Sequence, residues 1–298
     1  MSRDNPRLGI TLMIIAMMVF AAQDGVSRHL AAEYNTMTVV MIRYWFFAAF
    51  VIALSASRAG GIRRVARTQQ PGLQIFRGVL LAAEIVVTVI SFVLLGLIES
   101  HAIFAIYPLL IAALAGPMLG EYVGWRRGVA ILAGLVGVLI ILRPGFKVFS
   151  PEALIPLLAA FMFALYGLLT RRAARLDSAE TSFFYTGVAG AVAITLVGPF
   201  FWEPMQGAAD WTWMAVLCIT GALGHFLLIK VYDVAEAGTV QPFAYFQLVF
   251  VTILGVTLFD ERPDALTIAG AALILAAGLY TLIRQARLRR PMPPPKTG

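Results

Sequence analysis

Ten apolar runs of about twenty residues each divide this chain, separated by short polar or basic stretches. They lie at roughly 8–31, 36–57, 73–97, 100–119, 125–143, 151–173, 178–201, 211–233, 237–259 and 264–286. A helix needs about 20 apolar residues to cross the hydrocarbon core, and inside lipid only a helix or a closed barrel satisfies its own backbone. No alternating strand pattern of barrel type occurs, so the runs predict an all-α integral membrane protein with ten transmembrane helices. Composition agrees: with 60% hydrophobic and 13% charged residues, a soluble fold of 298 residues would lack polar surface.

Several function classes fall away. The single Cys218 supplies neither an intrachain disulfide nor a cysteine metal cluster. Three histidines without a nearby acid cluster argue against a metal site, and no G-x4-G-K-[ST] loop exists for nucleotide phosphates. No cofactor is expected. The net charge of +7 reads as loop arginines and lysines, not as a nucleic-acid surface, because the charges avoid the apolar runs. Arg3 and Arg7 precede the first run as in a signal peptide. That run is too long, and no A-x-A site follows it, so an uncleaved first helix is expected.

Basic residues then give an orientation. With the N-terminus inside, 18 of the 23 Lys and Arg residues fall in inner segments, and only Arg143, Lys147 and Arg262 in outer loops. Arg28 and Arg43 stay within or at the edge of spans. Both termini are expected in the cytoplasm.

The chain also repeats itself. FAAQDGVSRHLA at 20–31 aligns without gaps to FALYGLLTRRAA at 163–174, and PMLGEYVGWRRG around Glu121 aligns to VTLFDERPDALT around Glu261. The offsets, 143 and 140, predict two five-helix halves, at 1–146 and 147–286, followed by a basic, Pro-rich tail at 287–298. An odd number of spans per half inverts the second. Inverted repeats are a mark of secondary transporters with a site near the bilayer midplane.

The Gly120–Glu121 motif closing the fourth span, VGWRRGVAILAGLVGVLIILRPG after it and Phe259–Asp260–Glu261 closing the ninth resemble the EamA branch of the drug/metabolite transporter (DMT) superfamily. Within it the chain looks most similar to bacterial aromatic amino acid exporters of the YddG type. That resemblance implies helices 1–4 and 6–9 around a central cavity, with helices 5 and 10 outside, and export of amino acids across the inner membrane. Glu121 and Glu261 read as structural residues near the interface. Gly116, Gly120, Gly124 and Gly128, spaced by four, would let helices approach closely; a monomer or weak dimer is expected.

Ionisable residues inside spans suggest a pathway or a pair. Glu84 falls near the midplane of helix 3, Asp24 and Arg43 in the outer thirds of helices 1 and 2, and His225 past the middle of helix 8. Asp24 and Arg28 are four apart and can pair. Arg43 has two candidate acids, Asp24 and Glu84. Either it forms a static salt bridge, or Arg43 and Asp24 engage the carboxylate and ammonium of a zwitterion. Glu84 is the candidate for proton coupling if Arg43 stands clear of it, and a free Glu84 would favour a cationic cargo.

Aromatic residues deep in spans suit a ring-bearing substrate. These are Tyr44, Tyr107, Tyr166, Tyr185 and Tyr245, with Gln247 adding an amide, whereas Trp125, Trp202, Trp211 and Trp213 read as interface anchors. In the repeat, Arg28 has a counterpart in Arg171, but Tyr166 stands opposite Gln23 and Gly167 opposite Asp24. Gln23 and Asp24 therefore read as site residues and Arg28 as a cap. The reading is a transporter, not an enzyme, that exports aromatic and other neutral amino acids by alternating access. The alternative is the same fold carrying riboflavin, S-adenosylmethionine or a cationic drug.

Overall fold

The computed structural model describes residues 5–119, 125–142, 151–235 and 240–288. The Gly120–Glu121 motif, Gly124 and nearly all of the expected tail lie outside them. Every described element is helical. Helix α1 (Pro6–Glu33) starts on a proline capped by Asn5, whose side chain accepts from the Leu8 amide at 3.1 Å. That satisfies one of the amides a helix start leaves free, and the proline lacks one to satisfy. Helix α2 (Thr36–Ala56) repeats the device with Asn35 accepting from the Thr38 amide at 3.0 Å. A short α3 (Gly61–Val65) precedes α4 (Pro71–Leu95).

The fourth run is not one helix. Gly96, at φ +86°, ends α4, and α5 (Leu97–Phe104) gives way at Ala105–Ile106 to α6 (Tyr107–Leu119). A side chain at that φ would be strained, so glycine is the residue that can turn the chain here. Then come α7 (Trp125–Leu142), α8 (Leu154–Ala173), α9 (Ala179–Val197) and α10 (Ala208–Val234). A 3-10 turn at Gln241–Tyr245 leads into α11 (Phe246–Leu258), and α12 (Ala265–Leu288) is the last described helix. It runs two residues past the expected start of the tail.

Eight helices, counting α5–α6 together, are long and apolar enough to cross a membrane. Shorter apolar helices at Gly128–Leu142 and Phe243–Leu258 fall in the two remaining runs. Large apolar side chains point outward along them, such as Leu132 at 63% and Ile268 at 57% exposure. In water such surface would be a liability; against lipid it is the solvated face.

Helix α1 packs along α10 and α11, α4 packs on α8 and α9, α2 on α9, and α7 on α12. One apolar core joins α1, α2, α4 and α10 through Leu30, Met41, Tyr44, Phe92 and Leu217. At the α7–α12 crossing a Cβ on Gly137 would stand 2.8 Å from the Gly270 carbonyl oxygen, so the two backbones touch there. Of the four-spaced glycines, Gly128 has nothing within 4 Å of an added Cβ, and Gly120 and Gly124 lie outside the described residues.

The two ends of the bundle differ in charge. The acidic end carries Glu203, Asp210, Asp260 and Glu261, and the basic end Arg58, Arg63, Arg64, Arg67, Arg172 and Arg175. At the acidic end Tyr34 donates to Asp210 at 2.5 Å, and Asn35 donates to the Phe201 carbonyl at 2.6 Å. These bonds lock the α1–α2 turn onto the α9–α10 loop. The hydrogen bond to Asp210 raises the Tyr34 hydroxyl above its ordinary range.

Candidate functional site

Midway along the bundle α2, α4 and α10 enclose a narrow cavity lined by Arg43, Tyr44, Phe47, Cys218, Gly221 and His225. The Arg43 guanidinium has no carboxylate within 4.0 Å and no hydrogen bond among the described residues. Its expected partners are occupied elsewhere: Glu84, 3% exposed, accepts from Thr88 at 2.7 Å, and Asp24 bonds to other helices. A Cβ on Gly221 would stand 3.2 Å from Gln23 Oε1 and 3.6 Å from Arg43 Nε. The missing side chain thus leaves the room onto which both polar groups open. Gln23 Oε1 and the Tyr44 hydroxyl are buried without a hydrogen-bond partner. Unpaired buried polar atoms cost about 1–3 kcal/mol each, and a ligand or water restores that.

His225 forms the wall opposite. Its ring stacks on Phe47 at 5.8 Å and meets Phe20 and Phe183 edge-on at 5.4 and 6.3 Å. No hydrogen bond holds it among the described residues, so it serves as an aromatic surface with polar edges.

A second polar cluster lies on the other side of α1. Asp24 accepts from the Gln247 amide of α11 at 2.8 Å, and His101 Nε2 of α5 stands 3.1 Å from the same carboxylate oxygen. His101 Nδ1 faces the Leu97 carbonyl at 2.9 Å, and the ring stacks on Phe92 at 4.9 Å. Successive residues Gln23 and Asp24 thus reach residues of different cavities, Gly221 of the first and His101 and Gln247 of the second. The second cavity is also lined by Phe104, Tyr107, Pro108 and Tyr245, at the break between α5 and α6 and the 3-10 entry to α11. The Tyr245 hydroxyl is buried without a partner. Both cavities are narrow, with room for a water or two.

Two of the expected tyrosines go elsewhere. Tyr185 donates to the Ala66 carbonyl at 3.0 Å, pinning the α3 loop at the basic end. Tyr166 accepts at 3.0 Å from Arg77, whose guanidinium also lies 5.2 Å from its ring. Arg77 had the sequence signature of a loop charge; it is 1% exposed and bonds to Gln74, Tyr166, Thr170 and the Ser182 carbonyl. The expected Asp24–Arg28 pair is also replaced. Arg28 pairs with Glu261 and lies 4.1 Å from the Phe259 ring. Sequence reasoning missed His101, which sits at the edge of its run. The only available signal was a histidine one turn after a glycine break.

The family model of EamA-like transporters matches the chain twice, over residues 7–143 and 151–283. The chain belongs to the EamA-like transporter family. It is a multi-pass membrane protein. It is 24% identical over 282 residues to an S-adenosylmethionine uptake transporter of Rickettsia prowazekii, covering 94% of both chains. It is 28% identical to a riboflavin transporter of Vibrio cholerae over 92% of both, and 25% identical to a pseudopaline exporter of Pseudomonas aeruginosa over 90% of this chain and 94% of that one. A solved crystal structure aligns over 94% of this chain and 98% of its own at a TM-score of 0.63 and 20% identity, which shows a shared fold. The expected likeness to YddG-type amino acid exporters is corrected at this level: these relatives carry other metabolites.

Proposed function

We propose that this EamA-like protein is a secondary transporter of a small, ring-bearing metabolite with a carboxylate and a cationic centre, the class to which S-adenosylmethionine belongs. The observation that carries the reading is the Arg43 guanidinium, left without an acid in a cavity walled by Phe47 and His225. A substrate carboxylate would accept from Arg43, an aromatic ring would pack against His225 and Phe47, and Gln23 Oε1 would accept from a substrate donor. The relative that takes up S-adenosylmethionine supports a cationic cargo. Amino acid export rests on the same carboxylate logic and is the second reading.

In this proposal the ten spans form two inverted halves with both termini in the cytoplasm of a bacterial inner membrane. The closed cavities open alternately to either side. No bond of the cargo changes, and its gradients set the direction.

Reconstitution in liposomes with labelled S-adenosylmethionine, riboflavin, phenylalanine and tryptophan tests this. Countertransport of S-adenosylmethionine, with protection of Cys218 from a membrane-permeant maleimide, is the expected result. Flux of the amino acids alone would give the second reading the field, and flux of none of the four would sink both.

A further inference from the structure

We infer that Asp24 and His101 share one exchangeable proton and that this pair, set apart from the Arg43 cavity, is the proton-coupling site of the transporter. The inference deepens the transport reading and rests on it for the word coupling; the shared proton itself rests on geometry alone.

The donor logic leaves little freedom. The Leu97 carbonyl can only accept, so His101 Nδ1, 2.9 Å away, carries hydrogen. Nε2 then faces Asp24 Oδ2 at 3.1 Å, and that contact is attractive only when a proton lies between them. The proton sits on Nε2, giving an imidazolium–carboxylate pair, or on the carboxyl group, donating to a neutral ring. In both cases the pair is net neutral and holds one proton more than a neutral histidine beside an ionised aspartate. Losing that proton leaves a lone pair against a carboxylate. The α1–α5 contact then becomes repulsive, while Gln247 of α11 still donates to Asp24 at 2.8 Å. Proton release therefore loosens α1 from the short helix α5 and leaves it tied to α11, in the other half of the chain. The break at Ala105–Ile106 and the turn at Gly96 set α5 off as a short element of its own.

Other charged and titratable groups near the pair come from every packed element. Glu84 of α4 acts on Asp24 through space and in turn feels Arg43 of α2. Tyr107 and Tyr245 share the cavity of His101, and His225 of α10 packs on Phe20, one turn before Asp24. Arg28 and Glu261 neutralise each other a turn nearer the acidic end. On α5 itself Glu99 lies two positions from His101, on the other flank of the helix. None offers a second acceptor to Nε2 among the described residues.

Two measurements test the inference. Nitrogen-15 histidine NMR of the purified protein in nanodiscs, assigned with His101→Gln, should show His101 keeping Nδ1–H across the pH range. Its Nε2 should report a proton shared with Asp24 in wild type at neutral pH, and that hydrogen-bond signature should be lost in Asp24→Asn. An identical His101 Nε2 signature in wild type and Asp24→Asn, or in Asp24→Ala if the amide fails to fold, overturns the shared proton whatever the liposomes carry. In proteoliposomes an imposed pH gradient should drive wild-type uptake. In Asp24→Asn and His101→Gln the ratio of gradient-driven uptake to countertransport should fall to one, whatever the absolute rate. Variants that still respond overturn the coupling role. Absence of all substrate flux from wild type would instead defeat the transport reading, leaving the NMR outcome to decide the pair.

Discussion

Arg28, near the end of α1, is ion-paired to Glu261, 233 residues later in the turn after α11. The same carboxylate accepts from the backbone amides of Leu97 at 2.7 Å and Ile98 at 2.8 Å. Glu261 thus caps the start of α5, where Gly96 has turned the chain, and ties it to the helix that carries Asp24. The acid of the Phe259–Asp260–Glu261 motif works as a three-way joint. It is what lets a short α5 hold His101 in place.

Removing that joint should cost stability first. Glu261→Gln keeps the shape but turns an amide hydrogen toward groups that can only donate, and it strands the Arg28 charge. Breaking a mostly buried charge pair of this kind costs roughly 3 kcal/mol. A clear fall in the melting midpoint of the detergent-solubilised protein is expected. A Glu261→Gln midpoint equal to wild type would show that the joint is dispensable.

Arg77 should behave unlike every other arginine at the basic end. It is enclosed by Gln74, Tyr166, Thr170 and the Ser182 carbonyl, and it bridges α4, α8 and α9. Arg77→Ala leaves several buried acceptors bare, at about 1–3 kcal/mol each. Arg64, 54% exposed and paired with Glu180 at 2.9 Å, should lose at most about 1 kcal/mol as Arg64→Ala. Comparable melts for the two variants would contradict the structure.

The contrast explains what the sequence could carry. The apolar runs, and with them the membrane-spanning helices, were legible because each run is a local, extended signal. The difference between the halves at Gln23 and Asp24 was legible as well: a repeat exposes what the fold does not require. Arg77 was not, since hydropathy puts a charge at the end of a run in the loop, and its burial depends on partners a hundred residues away. His101 and Asp24 meet only because α5 is separated from α4 by Gly96, and a hydropathy window averages over such a break. Tyr185 looked like a cavity residue because depth along a helix says nothing about which face it occupies.

Acid should loosen the basic end. Partial desolvation acts to raise the Asp177 carboxyl. The hydrogen bonds from Thr68 at 2.5 Å, Gln74 at 2.9 Å and the Gln69 amide at 3.1 Å, with the Arg77 charge, outweigh it and hold the group below its ordinary 3.8. A carboxyl depressed in the folded state adds stability above the unfolded value and loses it as pH falls through the folded one. Wild type should therefore lose more stability than Asp177→Asn as the pH drops below about 4. Parallel pH profiles for the two proteins would remove Asp177 from this role.

Two glycines give opposite forecasts. A Cβ on Gly137 would meet the Gly270 carbonyl oxygen and Ile274 Cγ1, each at 2.8 Å, and the backbone oxygen cannot yield without parting α7 from α12. Gly137→Ala should destabilise by about 1–3 kcal/mol through overpacking. Gly128 has nothing within 4 Å, so Gly128→Ala should gain up to about 1 kcal/mol from helix propensity. Thermal melts of the pair, run side by side, check both signs at once.

Arg43 should show the reverse pattern, function lost and stability kept. With no carboxylate within 4.0 Å and no hydrogen bond among the described residues, its removal leaves no protein partner stranded. Taking a charge out of a narrow cavity even relieves desolvation, so Arg43→Gln should melt at or above the wild-type midpoint. A charge-assisted hydrogen bond to a carboxylate is worth about 1.5–3 kcal/mol. Its loss should raise KM for a carboxylate-bearing substrate by about ten- to a hundredfold. Arg43→Lys keeps the charge but not the planar fork, so it should fall between the two. Riboflavin, which has no carboxylate, supplies the control: if the protein carries it, its KM should move little in either variant. A lowered melting midpoint with an unchanged KM would mark Arg43 as part of the scaffold.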